Sequence, residues 1–450
     1  MQTGELNNMM NELLGIQFSI EKANRTDGKV QNLACFINEN TLAEAHHRMS
    51  RNKAKGIDGV GKDEYETSLS QNLKLLLNKM KKGSYRPKPI RRVLIPKDNG
   101  KMRPLGISCY EDKLVEYVIA EILIMVYEPK FYNCSYGFRP DRNCHQAVKE
   151  VIEDVQYHKT NYVVEADIKG FFDNVNHEWL MKFLKHDIAD RCFLDLINKF
   201  LKAGIMINGK LEDSETGTPQ GNGASPVLAN IYLHYVLDNW FDVKIRSKYK
   251  GETYLIRYCD DFVCCFQNIW EAQKFYRELN IRFDKYSLEL ALEKTRILEF
   301  GRFAEKRRIV QGYRKAETFD FLGFTFYCSS DRKKEYFRCK VKTSKKKFRK
   351  KVKEMSQWVK EHRNLPVGEI IKGVNIRLRG HYQYYCVNDN QYETHKFFFR
   401  TKWILFYWLN RRSEKRSYTW DEFYNGLLRT LPLIVPSLKV SLFNQKLNMI

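Results

Sequence analysis

The stretch Arg257–Phe266, RYCDDFVCCF, sets two carboxylates side by side between segments that otherwise read as buried strand. Taken alone, Asp260 and Asp261 are what a tight turn favours, because aspartate bonds readily to nearby backbone. Their neighbours Tyr258, Phe262, Val263, Cys264 and Cys265 put the pair beside an apolar interior, where adjacent like charges must take up a proton or bind a cation. Asp167 is a third candidate, closing the apolar run NYVVEAD. Three carboxylates converging from a strand end and a hairpin tip would hold two hard divalent ions, an arrangement that stabilises the attacking and leaving oxygens of an in-line phosphoryl transfer.

The elements that must position these groups are short and local. TYLIRY and FVCCF flank the two aspartates and predict a hairpin whose tip is Cys259–Asp260–Asp261. NYVVEADI predicts a strand ending at Asp167, followed by a turn and a helix through HEWLMKFLKH. Upstream, RRVLIPKDNGKMRPLGI holds two strand-like runs joined by Asp98-Asn99-Gly100, a hairpin signal. Apolar residues at Leu114, Val115, Val118, Ile119, Ile122 and Leu123 predict a helix from Tyr110 to Tyr127. Ser225-Pro226 reads as the N-cap and first residue of another helix, and FDFLGFTF as a further strand pair. From about 336 onward the chain turns basic, aromatic and mostly helical, and a domain boundary is expected there.

The chain has 450 residues, with 77 Lys+Arg against 54 Asp+Glu and a net charge of +23, which implies a polyanionic partner. The charge is clustered: residues 331–360 carry 14 Lys/Arg and 3 Asp/Glu. Aromatic residues interleaved with basic ones favour nucleic acid over an anionic membrane. The 11 cysteines include no C-x-x-C pair and no zinc-ligand spacing, so they read as reduced thiols, mostly in the core. With no signal-peptide pattern and no run of about 18 apolar residues, the expectation is a cytoplasmic protein without a membrane span.

Taken together, the motifs resemble one family. RYCDDFV is similar to the catalytic hairpin of reverse transcriptases, and ADIKGFFDNVNH to the motif carrying the first metal-binding aspartate. GTPQGNGASPVLANIYLHYVLD, SYGFRPDRNCHQAV and IPKDNGKMRPLGI resemble the group II intron branch, and FLGF resembles the segment that grips the primer end. GVNIRLRGHYQYYCV and WLNRRSEKRSYTW resemble the maturase (thumb) region of group II intron proteins. The resemblance implies an α+β right-hand polymerase fold: an N-terminal extension and fingers over 1–160, a palm over 161–335 to which part of 205–230 adds a fingers junction, and a helical basic thumb over 336–450.

Carried over by position, the resemblance assigns two Mg²⁺ ions to Asp167, Asp260 and Asp261, with the carbonyl of Ile168 assisting. It makes Lys97 and Arg103 the holders of the dNTP triphosphate, although basic residues on a hairpin are also an ordinary solvated face. Phe172 matches the ring that excludes a ribonucleotide 2′-hydroxyl, and a core aromatic is the plain alternative. Gln220 would contact nucleotide or template. Gly221, Asn222 and Gly323 would lie against template and primer, Asn222 standing where the family commonly has glycine. Lys294 matches the lysine that assists pyrophosphate departure, or is a surface lysine. Lys345, Lys346, Lys347 and Lys350 would contact the duplex, with Lys351 and Lys353 beside them. Tyr382, Tyr384, Tyr385, Trp403 and Trp408 are expected mostly in a three-helix core.

The function expected is an RNA-directed DNA polymerase with an RNA template, a DNA primer and, by the resemblance, a group II intron RNA as partners. Because the chain ends at Ile450 without a cysteine-paired endonuclease module, no second-strand cleavage is expected of it. Two alternatives stand beside this: a free-standing relative serving repair or phage defence, and an RNA-binding splicing cofactor without polymerase activity.

Overall fold

The computed structural model describes residues 15–23, 25, 28–96, 102–207, 210–212, 217, 223–331, 333–415 and 417–443. Its longer helices are α1 (Glu39–Arg48), α2 (Leu69–Lys81), α3 (Tyr110–Tyr127), α4 (Cys144–Tyr157), α5 (His177–Asp187), α6 (Arg191–Leu201), α7 (Ser225–Leu233), α8 (Ile269–Lys285), α9 (Lys345–His362), α10 (Val367–Tyr385) and α11 (Gln391–Leu409). Helices and strands are mixed along the chain and the sheets are mainly antiparallel, consistent with an α+β fold. No helix among the described residues is long and apolar enough to cross a membrane.

The central sheet is antiparallel throughout, in the order β6 (Thr253–Tyr258), β7 (Asp261–Phe266), β3 (Tyr162–Asp167), β8 (Arg296–Glu299). Side chains alternate across a strand, so both faces of this sheet must be covered for FVCCF to be apolar without a break. They are. Val164, Ala166, Leu255, Phe262 and Cys264 join a large core with α3, α7 and α8. Val163, Ile256, Val263 and Cys265 face the other way, onto α4 and a second sheet.

That second sheet runs β11 (Phe337–Thr343), β10 (Phe324–Ser330), β9 (Thr318–Phe321). The change of character expected near 336 falls between β10 and β11, which pair as antiparallel neighbours, so the mostly helical stretch starts at Lys345. Helices α9, α10 and α11 then enclose a third core around Val359, Val374, Leu378, Tyr382 and Leu405. A third sheet pairs β1 (Ile90–Pro96) with β2 (Met102–Ile107), and β1 runs parallel to β4 (Ile205–Ile207), which pairs with β5 (Lys210–Glu212). The Asp98–Gly100 turn expected between β1 and β2 lies outside the described residues.

Helix boundaries follow the local signals closely. Helix α3 spans the expected Tyr110–Tyr127. Helix α7 starts one residue sooner than expected: Ala224 is its N-cap, and Ser225 and Pro226 are its first two residues. That placement suits proline equally, since the first helical amides have no partner within the helix.

One side chain ties the central sheet to its surroundings. Arg257 on β6 is fully buried, and Asp238 faces it with both side chains excluded from solvent. Its Nε and Nη2 donate to the two Asp238 carboxylate oxygens at 2.7 and 2.6 Å, Nη2 donates to Ser135 Oγ at 2.7 Å, and Nη1 donates to Asn230 Oδ1 at 3.0 Å and to the Cys259 carbonyl at 3.1 Å. Burial works against this charge, and the Asp238 carboxylate more than offsets it, so the guanidinium pKa moves upward. Asp238→Ala leaves the guanidinium buried without a counter-charge and is expected to cost about 3–5 kcal/mol in urea unfolding, part of it restored by Arg257→Met on the same background. A loss under about 1 kcal/mol would refute this role for the pair.

Candidate active site

The β6–β7 hairpin closes with a two-residue loop, Cys259–Asp260, because Tyr258 pairs directly with Asp261. Asp261 is therefore the first residue of β7 rather than part of the tip. Cys259 adopts φ 59°, in the left-handed region that a side chain with a Cβ enters only at a cost. Three contacts hold the loop there. Arg257 bonds the Cys259 carbonyl, the Tyr136 amide donates to the Arg257 carbonyl at 2.9 Å, and the Arg257 amide donates to the Cys134 carbonyl at 2.7 Å. The backbone of Gly137 comes so close that a Cβ there would sit 2.3 Å from the Cys259 sulfur and 2.7 Å from its nitrogen. Asn230 Nδ2 fixes the Gly137 carbonyl at 2.6 Å.

Across the ladder, Asp167 stands directly opposite Asp261. The segment before β8 crosses the end of β3: the Lys169 amide donates to the Glu289 carbonyl at 2.8 Å, Ile168 bridges to Leu290, and the Ala291 amide donates to the Asp167 carbonyl at 2.9 Å. This crossing delivers Lys294, whose Nζ bonds Asp167 Oδ2. Asp261 opens onto a concave cleft, accessible yet surrounded by protein. Burial first, and then the Asp260 and Asp167 charges, push its carboxyl up to about 7. Asp260 is raised too, by burial and by Asp167, with its own backbone amide, Arg103 and Lys294 opposing the shift. Burial lowers the Lys294 pKa, but its bond to Asp167 and the neighbouring carboxylates outweigh this and raise it.

The donor set of Asp167, Asp260, Asp261 and backbone carbonyls is oxygen only, which suits a hard cation such as Mg²⁺. Among the described residues, however, no three acidic, histidine or cysteine side chains converge as they stand into a closed ligand set. Asp167 and Asp261 face each other while Asp260 accepts from its own backbone. The chemistry of the donors fits a hard cation.

The cleft holds a volume of about 1070 Å³. Asp167, Asp261 and Lys294 line it together with Gly323, Tyr384 and, from α9, Lys346, Lys347, Lys350 and Lys351. Gly323 lies in the two-residue turn between β9 and β10, where Leu322 has φ 48° and Gly323 φ 78°, the mirror-image turn that matches strand twist. Tyr384 donates its hydroxyl to the Leu322 carbonyl at 2.8 Å, and the Ser344 amide donates to the Gly323 carbonyl at 3.0 Å, seating α9 against the turn.

Arg103 is exposed on β2, near enough to Asp260 to act on its charge. Phe172 is half-buried against Phe171 at 5.5 Å, and Gly217 packs on its turn so tightly that a Cβ would lie 3.1 Å from the Phe172 carbonyl oxygen. Lys345 is exposed but does not line the cleft. Lys97, Gln220, Gly221 and Asn222 lie outside the described residues. Tyr382 is buried in the three-helix core and Trp408 packs against it as expected, whereas Tyr385 and the half-buried Tyr384 join the core under the second sheet and Trp403 is exposed.

Sequence reasoning assigned no role to Arg257, Asp238, Asn230, Ser135 or Glu116. The available signal was a charged residue at an inward strand position, since a buried arginine obliges a partner. Glu116 on α3 is fully buried. It accepts from Ser108 Oγ at 2.6 Å and from the Gly223 amide at 3.0 Å, anchoring the segment that enters α7.

Residues 95–326 match the profile of the family described as reverse transcriptase (RNA-dependent DNA polymerase). The group II intron-encoded protein LtrA of Lactococcus lactis subsp. cremoris is 40% identical over 210 residues, 46% of this chain and 34% of that protein, so the match spans about a third of its length. Protein YkfC of Escherichia coli (strain K12) is 33% identical over 272 residues, 54% of this chain and 71% of that protein. Nuclear intron maturase 2, mitochondrial, of Arabidopsis thaliana is 26% identical over 106 residues, 24% of this chain and 14% of that protein.

Burial first, with Asp112 adding to it against Ser108, Gly223 and Lys113, raises Glu116 from 4.5 to about 7. A raised carboxyl pKa means that the folded chain keeps a proton the unfolded chain has already lost. Wild-type stability from this group is therefore complete below about pH 4.5 and drains away as pH rises through about 7. Glu116→Gln, neutral at every pH, is expected to gain on wild type between pH 5 and 8 by a few kcal/mol. Melting curves across that range check it, and a pH-independent difference would contradict it.

Proposed function

The chain belongs to the reverse transcriptase family and resembles its group II intron members, and on that premise we propose that it copies RNA into DNA by nucleotidyl transfer at Asp167, Asp260 and Asp261. One observation carries the reading: Asp167 and Asp261 stand opposite each other, next to Asp260, in a cleft that Lys346, Lys347, Lys350 and Lys351 also line. Carboxylates and a lysine cluster in one cleft suit a site that gathers cations at the reacting phosphate while the lysines hold the duplex backbone.

The two Mg²⁺ ions of this reading would be held by the three aspartates with the Ile168 carbonyl, and when bound would stabilise charge on the attacking and leaving oxygens of the phosphoryl transfer. Lys294, already bonded to Asp167, would balance negative charge at the reacting centre and stand ready to donate a proton to the departing group. Arg103 and, by the resemblance, Lys97 would hold the triphosphate. Phe172, packed edge-to-face on Phe171 in a turn whose backbone Gly217 approaches closely, would exclude a 2′-hydroxyl by the bulk of its ring. Gly323 would let the primer strand approach the backbone, and the α9 lysines would hold duplex phosphates.

In this reading residues 1–160 serve as N-terminal extension and fingers, 161–335 as palm and 336–450 as thumb. The relatives' names, an intron-encoded protein and an intron maturase, support a group II intron RNA as a further partner and a role in its splicing.

Primer extension on an RNA template with dNTPs and Mg²⁺ tests the proposal. Wild type should make full-length cDNA, and Asp260→Ala/Asp261→Ala should lose at least roughly 10³-fold in rate while still binding the primer–template. If neither protein extends although both bind RNA, the polymerase reading fails and a splicing cofactor takes its place. Phe172→Ala should raise ribonucleotide incorporation by at least tenfold relative to dNTP, measured in competition. An unchanged ratio would remove Phe172 from that role.

A further inference from the structure

Trp403 does not stand alone on the surface. On the outer face of α11, Tyr392, Phe399, Trp403 and Tyr407 are 75, 54, 56 and 46% exposed, a single stripe at helical spacing. Four large rings left in water along one helix are costly unless something covers them. Basic side chains interleave with them: Lys396 lies 5.7 Å from the Tyr392 ring, Arg411 lies 3.7 Å from the Tyr407 ring, and Arg400 is exposed between. Glu393, paired with Lys396 at 3.5 Å, is the acid beside them. The rings are also held in place, since Trp403 stacks on Trp420 at 4.4 Å and 22°, and Trp420 stacks in turn on Tyr424. Phe397, on another side of the same helix, lines the polymerase cleft, so the stripe faces away from it.

We propose that this outer face of α11 binds unpaired RNA nucleotides, the rings stacking on bases and Lys396, Arg400 and Arg411 meeting phosphates, as a second nucleic-acid surface separate from the cleft. Rigid rings alternating with cations are the chemistry of sequence-tolerant single-strand binding. The basic interleaving and the +23 net charge work against a second copy of the chain as the occupant, because two such faces would repel. RNA rather than DNA follows from the reading of the cleft as an RNA-copying site, on which this inference rests: the template must continue as single strand outside the duplex.

The test uses the full chain and a 12-nucleotide fluorescein-labelled RNA without secondary structure, with a DNA 12-mer of the same sequence in parallel. Trp403→Ala/Tyr407→Ala should weaken RNA binding at least tenfold, about what loss of two base stacks removes, and leave extension of a short preannealed primer–template within twofold of wild type. Trp403→Tyr should restore most of the binding. Arg400→Glu/Arg411→Glu should weaken it as well with every aromatic side chain retained, which separates the part played by the cations from the part played by the rings. Equal RNA affinity in wild type and both double variants overturns the inference. So does a loss confined to the DNA oligomer, or a change in sedimentation with RNA affinity unaltered, which would give the face to protein. Absence of extension in wild type would strike the polymerase reading alone, because the RNA-binding arm is read independently.

Discussion

The buried guanidinium of Arg257 is the constraint around which the carboxylate site is arranged. A planar fork with five N–H groups, taken out of water, must find acceptors on every side, and here four separate residues supply them. The Cys259 carbonyl is one, which ties the left-handed residue beside Asp260 to the interior. Two others, on Asn230 and Asp238, come from one helical run. In a straight α-helix those two residues would point about 80° apart. The run instead widens into a π turn over His234–Asp238, which turns less per residue and brings both onto the face that meets Arg257. The helical irregularity and the hairpin loop are thus two consequences of satisfying one cation.

The carboxylates themselves are held under tension that this scaffold withstands. Asp260 and Asp261 are both raised by burial and by their neighbours, and the countercharges within reach, Lys294 and Arg103, sit on flexible or exposed side chains. Arg257 is closer in sequence, but its charge is already matched by Asp238 and its donors are occupied. The strongest cation near the hairpin is therefore spent on geometry, and the aspartates keep an unmet demand for positive charge. The cation-gathering site proposed above would need that separation between the charge that positions and the charge that remains open.

Much of this was legible locally. The flanking runs TYLIRY and FVCCF marked the hairpin, and NYVVEAD marked the strand opposite it, because period-two patterns and turn residues act over a few positions. The illegible part is nonlocal. The pairing of Arg257 with Asp238 crosses from strand to helix, the parallel contact of β1 with β4 joins segments more than a hundred residues apart, and the tip moved by one residue because Asp261 was captured by the ladder. The onset of the helical region was misplaced for a similar reason: Phe337–Thr343 is basic like helix α9 after it, yet alternation, not charge, made it the partner of β10.

Helix α11 presents the sharpest case of a pattern that sequence alone cannot interpret. An aromatic run such as Phe397-Phe398-Phe399 ordinarily marks a helix apolar all round, hence buried. Its neighbours follow that rule in part: Phe397 and Phe398 are buried in the three-helix core, and Leu405 and Leu409 extend the same packing. Phe399 and Trp403 break it and stand in solvent. Periodicity reports where apolar residues lie around the axis and not whether protein waits on each side. A helix whose apolar residues reach past the face its neighbours cover looks the same in sequence as a buried one. The interleaved Lys396, Arg400 and Arg411 are the residues on that face that distinguish the cases, because a face packed in a core would leave their charges without water.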